Sequence, residues 1–247
     1  MCVTHVRDKI AIVTGASSGL GRAVAVTLAR AGMRVVVGAR RKDRLDTLVT
    51  DLAANGAEAL AVECDVRDEA AVVAMFAAAL DRFGHIDVLV NNAGLADHTP
   101  TDELSSVHWN EVIDTNLTGA FLCAREAFRV MKRQGRGRMI HIGSLSALVP
   151  RANSAAYAAS KFALTGLNHS LALDGRAFGI ASSIFHPGVI GTELDGRPQG
   201  APAAAPGERI GADVAAQAIL AMIDLPDHVN FLDGTMLPVT MPFLGRG

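Results

Sequence analysis

"KIAIVTGASSGLGRAVAVTLARAG", residues 9–32, is a short unbroken apolar run, then a loop holding Gly15, Gly19 and Gly21, then an amphipathic stretch closed by Gly32. An apolar run of this length with no polar alternation suits a parallel strand covered on both faces. Glycines after such a strand let the chain turn sharply. They also bring backbone N–H groups close to an anion at the next helix N-terminus, where the helix dipole favours negative charge. Three glycines alone more often mark an ordinary loop, but a strand before them and a helix after them point to a dinucleotide pyrophosphate. Gly15, Ser17, Ser18, Gly19, Leu20 and Gly21 are the candidate contacts.

The same alternation runs outward from this stretch. RVVVGA (34–39), EALAVECDV (58–66) and IDVLVNNAG (86–94) read as strands, while RLDTLVTDLAANG (44–56) and EAAVVAMFAAALDRFG (69–84) have helical spacing. Gly32, Gly56 and Gly84 stand where a left-handed helix cap is expected. A helical stretch around 110–132, a strand at RMIHIG (138–143), a helix over about 155–175 and a strand at IASSIF (180–185) follow, with a last helix and strand near 211–233. The expected fold is α/β: a Rossmann-like doubly wound parallel sheet of about seven strands with helices on both faces, binding ligand beyond the strands' carboxyl ends. Residues 1–247 read as one domain, and the Gly-, Pro- and Ala-rich segment 191–209 as a flexible substrate loop.

With 247 residues, half of them hydrophobic, and 24 glycines, the chain can build a substantial core. A net charge of -2 supplies no basic field for nucleic acid or anionic lipid, so small molecules are the expected partners. No apolar stretch approaches the roughly 18 residues of a membrane span, and the first apolar run is too short for a signal peptide. Cys2, Cys64 and Cys123 are odd in number and lack metal-ligand spacing, so free thiols in a cytoplasmic protein without a metal are expected.

The second strand ends in Ala39, Arg40 and Arg41, with no carboxylate to take the ribose hydroxyls of NAD. Basic residues at that position accommodate the 2′-phosphate of NADP, so NADP(H) is the expected cofactor, with Arg40 the first choice and Arg41 beside it. The competing reading is solvated surface charge.

The only tyrosine, Tyr157, stands four residues before Lys161, a spacing that puts both on one helix face. A free phenol has a pKa of about 10, and a nearby cation lowers it toward the range useful for acid–base exchange. Alone, Y-x-x-x-K fits any amphipathic helix. Here Ser144 lies 13 residues ahead, just after a predicted strand, and Asn116 lies further upstream on a predicted helix.

Thr14 with its three glycines resembles the T-G-x-x-x-G-x-G loop of the short-chain dehydrogenase/reductase family. Asn116, Ser144, Tyr157 and Lys161, in that order, resemble that family's catalytic tetrad. The resemblance implies hydride exchange between a nicotinamide and a carbonyl or alcohol carbon. It makes Tyr157 the general acid and base, Ser144 the group that bonds the substrate oxygen, Lys161 a second contact to the nicotinamide ribose, and Asn116 the holder of a water leading to solvent. By the same resemblance Asp65 and Val66 form an adenine-binding segment, and Asn92, Ala93 and Gly94 of NNAG line the cofactor channel. Pro187, Gly188, Val189, Ile190 and Thr192 belong to a segment that meets the nicotinamide and phosphates. Relatives of this family commonly form homotetramers, so a homo-oligomer, tetramer or dimer, is expected.

Candidates near the substrate are Ser146, Leu148, Arg151, Asn153, His98 and His186, with the loop 191–209. His98 and His186 are each read as structural histidines beside strand ends. The tail DHVNFLDGTMLPVTMPF resembles that of NADP-dependent 3-hydroxy acid and serine dehydrogenases, which makes a hydroxy acid or small hydroxy or keto compound the expected substrate, with general ketone reduction beside it. The rival function is a catalytically idle NADP-binding sensor or scaffold, which would need the loop and Arg40 but not Ser144, Tyr157 and Lys161 together.

Overall fold

Strand β1 (Ile10–Thr14) is buried along its whole length, as a central strand covered on both faces must be. The computed structural model describes residues 5–191 and 209–243. After β1 come α1 (Gly19–Arg30), β2 (Arg34–Ala39), α2 (Lys42–Ala54), β3 (Ala59–Glu63), α3 (Glu69–Phe83) and β4 (Val88–Asn91). The second half holds α4 (Ser106–Ile113), α5 (Gly119–Gln134), β5 (Gly137–Ile142), α6 (Ala155–Gly175), β6 (Ile180–Pro187), α7 (Ala212–Ile223) and β7 (Asp233–Met236). The strands form one sheet in the order β3-β2-β1-β4-β5-β6-β7, with every pair parallel. The winding reverses between β1 and β4, and a crevice at such a switch point is where open sheets bind ligands.

Alternate residues of each strand feed two cores. Val13, Val35, Val37 and Ile140 pack with Leu28 of α1, Leu45 of α2 and Ile219 of α7. Ile12, Val36, Leu89 and Met139 face the other way, against Met75 and Phe76 of α3 and Met131 of α5. Gly32, Gly56 and Gly84 have φ of +88°, +78° and +82°, the left-handed caps expected of them. Among the described residues, no helix is long and apolar enough to cross a membrane.

The structure departs from the sequence reading in two places. The helix expected over 110–132 is two helices, α4 and α5, joined by a π-helical turn at Asp114–Thr118. That wider turn carries Asn116, whose side chain leaves the helix to bond the backbone of Leu95. The last strand, β7, starts only at Asp233, because Asp-Gly-Thr-Met is a half-exposed edge strand with little apolar signal. Residues 192–208 of the expected substrate loop lie outside the described residues. Ile190 and Ile210, on either side of them, form an isolated parallel bridge.

Gly119 opens α5 against β3's exit segment, where an added Cβ would sit 2.7 Å from Cγ2 and 3.0 Å from the carbonyl oxygen of Val66. Gly119→Ala is therefore expected to cost about 1–3 kcal/mol by overpacking. The exposed Gly166 in α6 has nothing within 4 Å of such a Cβ, and Gly166→Ala is expected to gain up to about 1 kcal/mol. Urea unfolding of the two variants should move the midpoint in opposite directions with an unchanged slope.

Candidate active site

The seam between β1 and β4 forms the floor of the site. The Thr14 hydroxyl accepts from the backbone N–H of Asn92 at 3.0 Å and of Ala93 at 3.1 Å, and the Asn92 amide donates to the carbonyl of Thr14 at 2.9 Å. Two glycines permit this closeness. Gly15 has φ +65° and would place a Cβ 2.8 Å from Ala93 Cα, while a Cβ on Gly21 would lie 2.5 Å from the Gly15 carbonyl oxygen. Ser18 precedes α1 without capping it through its side chain, so the first-turn N–H groups of this helix suit an anion.

A cleft of about 520 Å³ runs from this loop along the carboxyl ends of the strands. At one end Arg41 donates from Nε and Nη2 to the Ser17 hydroxyl (3.1 and 2.9 Å) and from Nη2 to the Ser18 hydroxyl (2.7 Å). Arg40 is exposed on the same wall. Arg67 grips the Asp65 carboxylate through Nε (3.1 Å) and Nη2 (2.6 Å) and holds its pKa below the usual carboxylate range, with the charge of Arg40 adding a smaller push. Gly15, Ser17, Ser18, Gly19 and Leu20 line this part of the cleft, with Asp65, Val66, Asn92, Ala93 and Gly94. Pro187, Gly188, Val189 and Ile190, from the end of β6, line it too. Gly21 stands behind the wall as a packing residue, and Thr192 lies outside the described residues.

Ser144, Tyr157 and Lys161 meet at the other end. The Ser144 hydroxyl oxygen accepts from the N–H of Ser146 (3.1 Å), capping the 3₁₀ turn Leu145–Ala147. Lys161 is 5% exposed, and its Nζ donates to the carbonyl of Ile142 at the end of β5 (2.7 Å). Burial pushes its pKa down to about 8. The ammonium lies 5.7 Å from the centre of the Tyr157 ring. His141, fully buried beneath, is pushed down to about 4 by burial and then by the charge of Lys161, so it is neutral and leaves that charge unopposed.

Asn116 is not on the cleft wall. Its Oδ1 accepts from the N–H of Leu95 (2.7 Å), and its Nδ2 donates to the carbonyl of Leu95 (2.9 Å) and to the hydroxyl of Ser160 (3.1 Å). That hydroxyl in turn donates to the carbonyl of Tyr157 (2.7 Å). Asn116 thus ties the loop after β4 to the helix carrying Tyr157. The cleft is also lined by residues that the sequence does not assign to it: Cys64, Ile142, Gly143 and Leu95, which flank assigned ones, and Met241 and Phe243, which return from the tail.

The family model for short chain dehydrogenase matches residues 9–200. The chain belongs to the short chain dehydrogenase family. As a short chain dehydrogenase it is an oxidoreductase of the kind acting on a secondary alcohol or ketone. It is 37% identical over 193 residues to a 3-oxoacyl-[acyl-carrier-protein] reductase of Synechocystis sp., covering 78% of each chain. It is also 37% identical over 191 residues to a 3beta-hydroxysteroid dehydrogenase of Mediterraneibacter gnavus, covering 77% of this chain and 69% of that one. Among solved structures, an alcohol dehydrogenase from the archaeon Thermococcus sibiricus complexed with 5-hydroxy-NADP superposes with a TM-score of 0.88 at 28% identity, over 95% of this chain and 98% of that one. A variant of actinorhodin polyketide ketoreductase with NADPH gives 0.84 at 29% identity, over 94% and 96%.

The lowered pKa of Lys161 has a thermodynamic consequence. Between about 8, its folded value, and about 10.5, its ordinary one, the unfolded chain holds a proton at this site that the folded chain does not, so the contribution of Lys161 to stability rises with pH across that window. Relative to Lys161→Met, the wild-type protein should gain on the order of 3 kcal/mol as pH rises through it. Urea titrations of both ligand-free proteins at several pH values measure the difference, and a pH-independent gap would show an unperturbed lysine.

Proposed function

We propose that the protein is an NADP(H)-dependent oxidoreductase that interconverts a carbonyl and a secondary alcohol, with Tyr157 as general acid and base. One observation carries this reading: the ammonium of Lys161, anchored 2.7 Å from the Ile142 carbonyl, lies 5.7 Å from the Tyr157 ring in the cleft that the glycine loop opens. When bound, the nicotinamide supplies or takes the hydride. The phenol of Tyr157 gives its proton to the substrate oxygen in reduction and takes one in oxidation. Lys161 keeps a positive charge beside it that favours the phenolate. The Ser144 hydroxyl, already accepting from Ser146, keeps its hydrogen free to donate to the substrate oxygen. Asn116 holds the Leu95 backbone and the Tyr157 helix in register and, as the family resemblance implies, a water leading to Lys161.

The cradle fits the cofactor. Gly15 and Gly21 let the loop pack closely on Asn92 and Ala93, which sets the uncapped start of α1 where its N–H groups suit a pyrophosphate, and Arg40 with Arg41, held over Ser17, gives the adenosine end the positive charge that a 2′-phosphate requires. The NADPH and 5-hydroxy-NADP named with the two solved relatives favour the same choice. The inner wall beyond Ser144 offers Leu145, Val149, Met241 and Phe243 with the cation Arg151, which suits a hydroxy or keto compound with an apolar body. We take the chain as one catalytic domain. Exposed Trp109, Phe121 and Phe162 on α4, α5 and α6 suit a homo-oligomer. An idle sensor or scaffold would gain nothing from a buried lysine beside a tyrosine in the same cleft.

Tyr157→Phe should lower kcat by roughly 10²- to 10⁴-fold, with NADPH affinity by fluorescence titration nearly unchanged. Near-normal turnover on a panel of ketones, aldehydes and β-keto acids would sink the assignment. Arg40→Asp, and more strongly the Arg40→Asp/Arg41→Ala pair, should move the kcat/KM preference from NADPH toward NADH. An unmoved ratio would mean that another group reads the phosphate.

A further inference from the structure

We infer that His186 is a positioning residue for Ser144, holding the serine's backbone through a tautomer fixed by Asp233. The inference rests on the reading of Ser144 given above. The parallel ladder between β5 and β6 carries one bond past Ile142, from the N–H of Gly143 to the carbonyl of Phe185 (2.7 Å). At Ser144 a side chain takes over from the backbone: the N–H of Ser144 donates to Nδ1 of His186 at 3.2 Å. The ring is 1% exposed and does not line the cleft, so it acts on the site only through the serine. Gly143 gives it room, since a Cβ there would lie 2.4 Å from His186 Nδ1.

The far side of the ring decides which nitrogen carries the proton. Nε2 lies 3.1 Å from Oδ1 of Asp233, the first residue of β7, and a carboxylate only accepts. Nε2 therefore carries a hydrogen, and with a single ring proton Nδ1 is left as an acceptor. The carbonyl of Ser144 also lies 3.0 Å from Nδ1, but bonding it would require the proton on that nitrogen and, in a neutral ring, a bare Nε2 facing the carboxylate. The second oxygen of Asp233 meets Nε2 of His169 on α6 at 2.9 Å. Asp233 is thereby fixed from α6, the helix that also bears Tyr157 and Lys161. The orientation of the serine is thus coupled to the helix of its catalytic partners, and β7 closes the link.

Two amide variants separate positioning from mere space filling. The amide oxygen of Asn reaches the place of Nδ1, and that of Gln reaches the place of Nε2. His186→Asn should keep kcat within about threefold of wild type, whereas His186→Gln should lose about tenfold, the rate equivalent of one hydrogen bond, with KM and NADPH affinity unchanged in both. In the cofactor-free protein, ¹⁵N NMR of labelled histidine should show His186 with an unprotonated Nδ1 and a protonated Nε2. Asp233→Ala, at a half-exposed position that should leave the fold intact, should shift both signals toward a tautomer mixture. Equal losses in the Asn and Gln variants, a better Gln variant, or a protonated Nδ1 would overturn the inference. If the His186 variants do not fold, the NMR of wild type and Asp233→Ala decides. Full turnover in Ser144→Ala would instead fault the proposed role of the serine, while leaving the tautomer result standing.

Discussion

The bond network between Thr14 and Asn92 is the constraint from which the rest of the site is measured. A parallel sheet that reverses its winding opens a gap between the first strands of its two halves, and here that gap lies between β1 and β4. The Thr14 hydroxyl and the Asn92 amide bridge the gap at the strand ends and satisfy backbone groups there that the ladder has left behind. With the seam drawn tight, Gly15 lies against Ala93 and Gly21 against Gly15, at separations that no side chain would permit. The start of α1 is then fixed relative to β4, and so to β5, where the second half of the site begins.

That second half rests on a balance of opposing effects at Lys161. Burial disfavours its charge, and the drop of its pKa to about 8 expresses that cost. The Ile142 carbonyl offsets part of it, and the neutral His141 adds no competing charge. A protonated lysine at neutral pH survives at so buried a position because the end of β5 offers it a carbonyl acceptor. The ammonium is also pinned, so its field reaches the Tyr157 ring without the motion that a solvated lysine would have. Backbone geometry thus sets the electrostatics of the side chains.

The fold was legible because its signals are local. Strands covered on both faces read as unbroken apolar runs, and helix ends read as glycines, so β1 through α3 and the whole of α6 fall where periodicity and glycine placement put them. Signals without a local signature were not legible. The π-helical turn at Asp114–Thr118 has no sequence period of its own, and only its tertiary use, bringing Asn116 to Leu95, shows why it exists. Strand β7 pairs on one side only and is half exposed, so its composition is that of a turn. At the site, residues that neighbour one another in sequence were found together, while Met241 and Phe243 return from the tail with nothing in their spacing to announce it. Arg40 and Arg41 both line the phosphate end of the cleft, and the bonds that hold Arg41 across Ser17 and Ser18 join residues more than twenty positions apart, which no local spacing announces.

The division between groups that touch the substrate and groups that place them follows from the same topology. Ser144 leaves β5, while Tyr157 and Lys161 ride on α6, so the serine and its proposed partners stand on different elements. What fixes them is a set of residues that does no chemistry: the Ile142 carbonyl under Lys161, Asn116 and Ser160 under the Tyr157 helix, and the line from His169 through Asp233 and His186 to Ser144. These supports come from β5, the π-helical turn, α6, β6 and β7, so a small shift of any one element would tilt Ser144, Tyr157 or Lys161 against the others, at a cost that rises steeply with displacement. The substrate wall carries less of this burden, since Val149, Arg151, Met241 and Phe243 stand on segments outside the sheet ladder. On the proposed function, substrate preference can therefore change on that wall while the geometry of Ser144, Tyr157 and Lys161 stays in place.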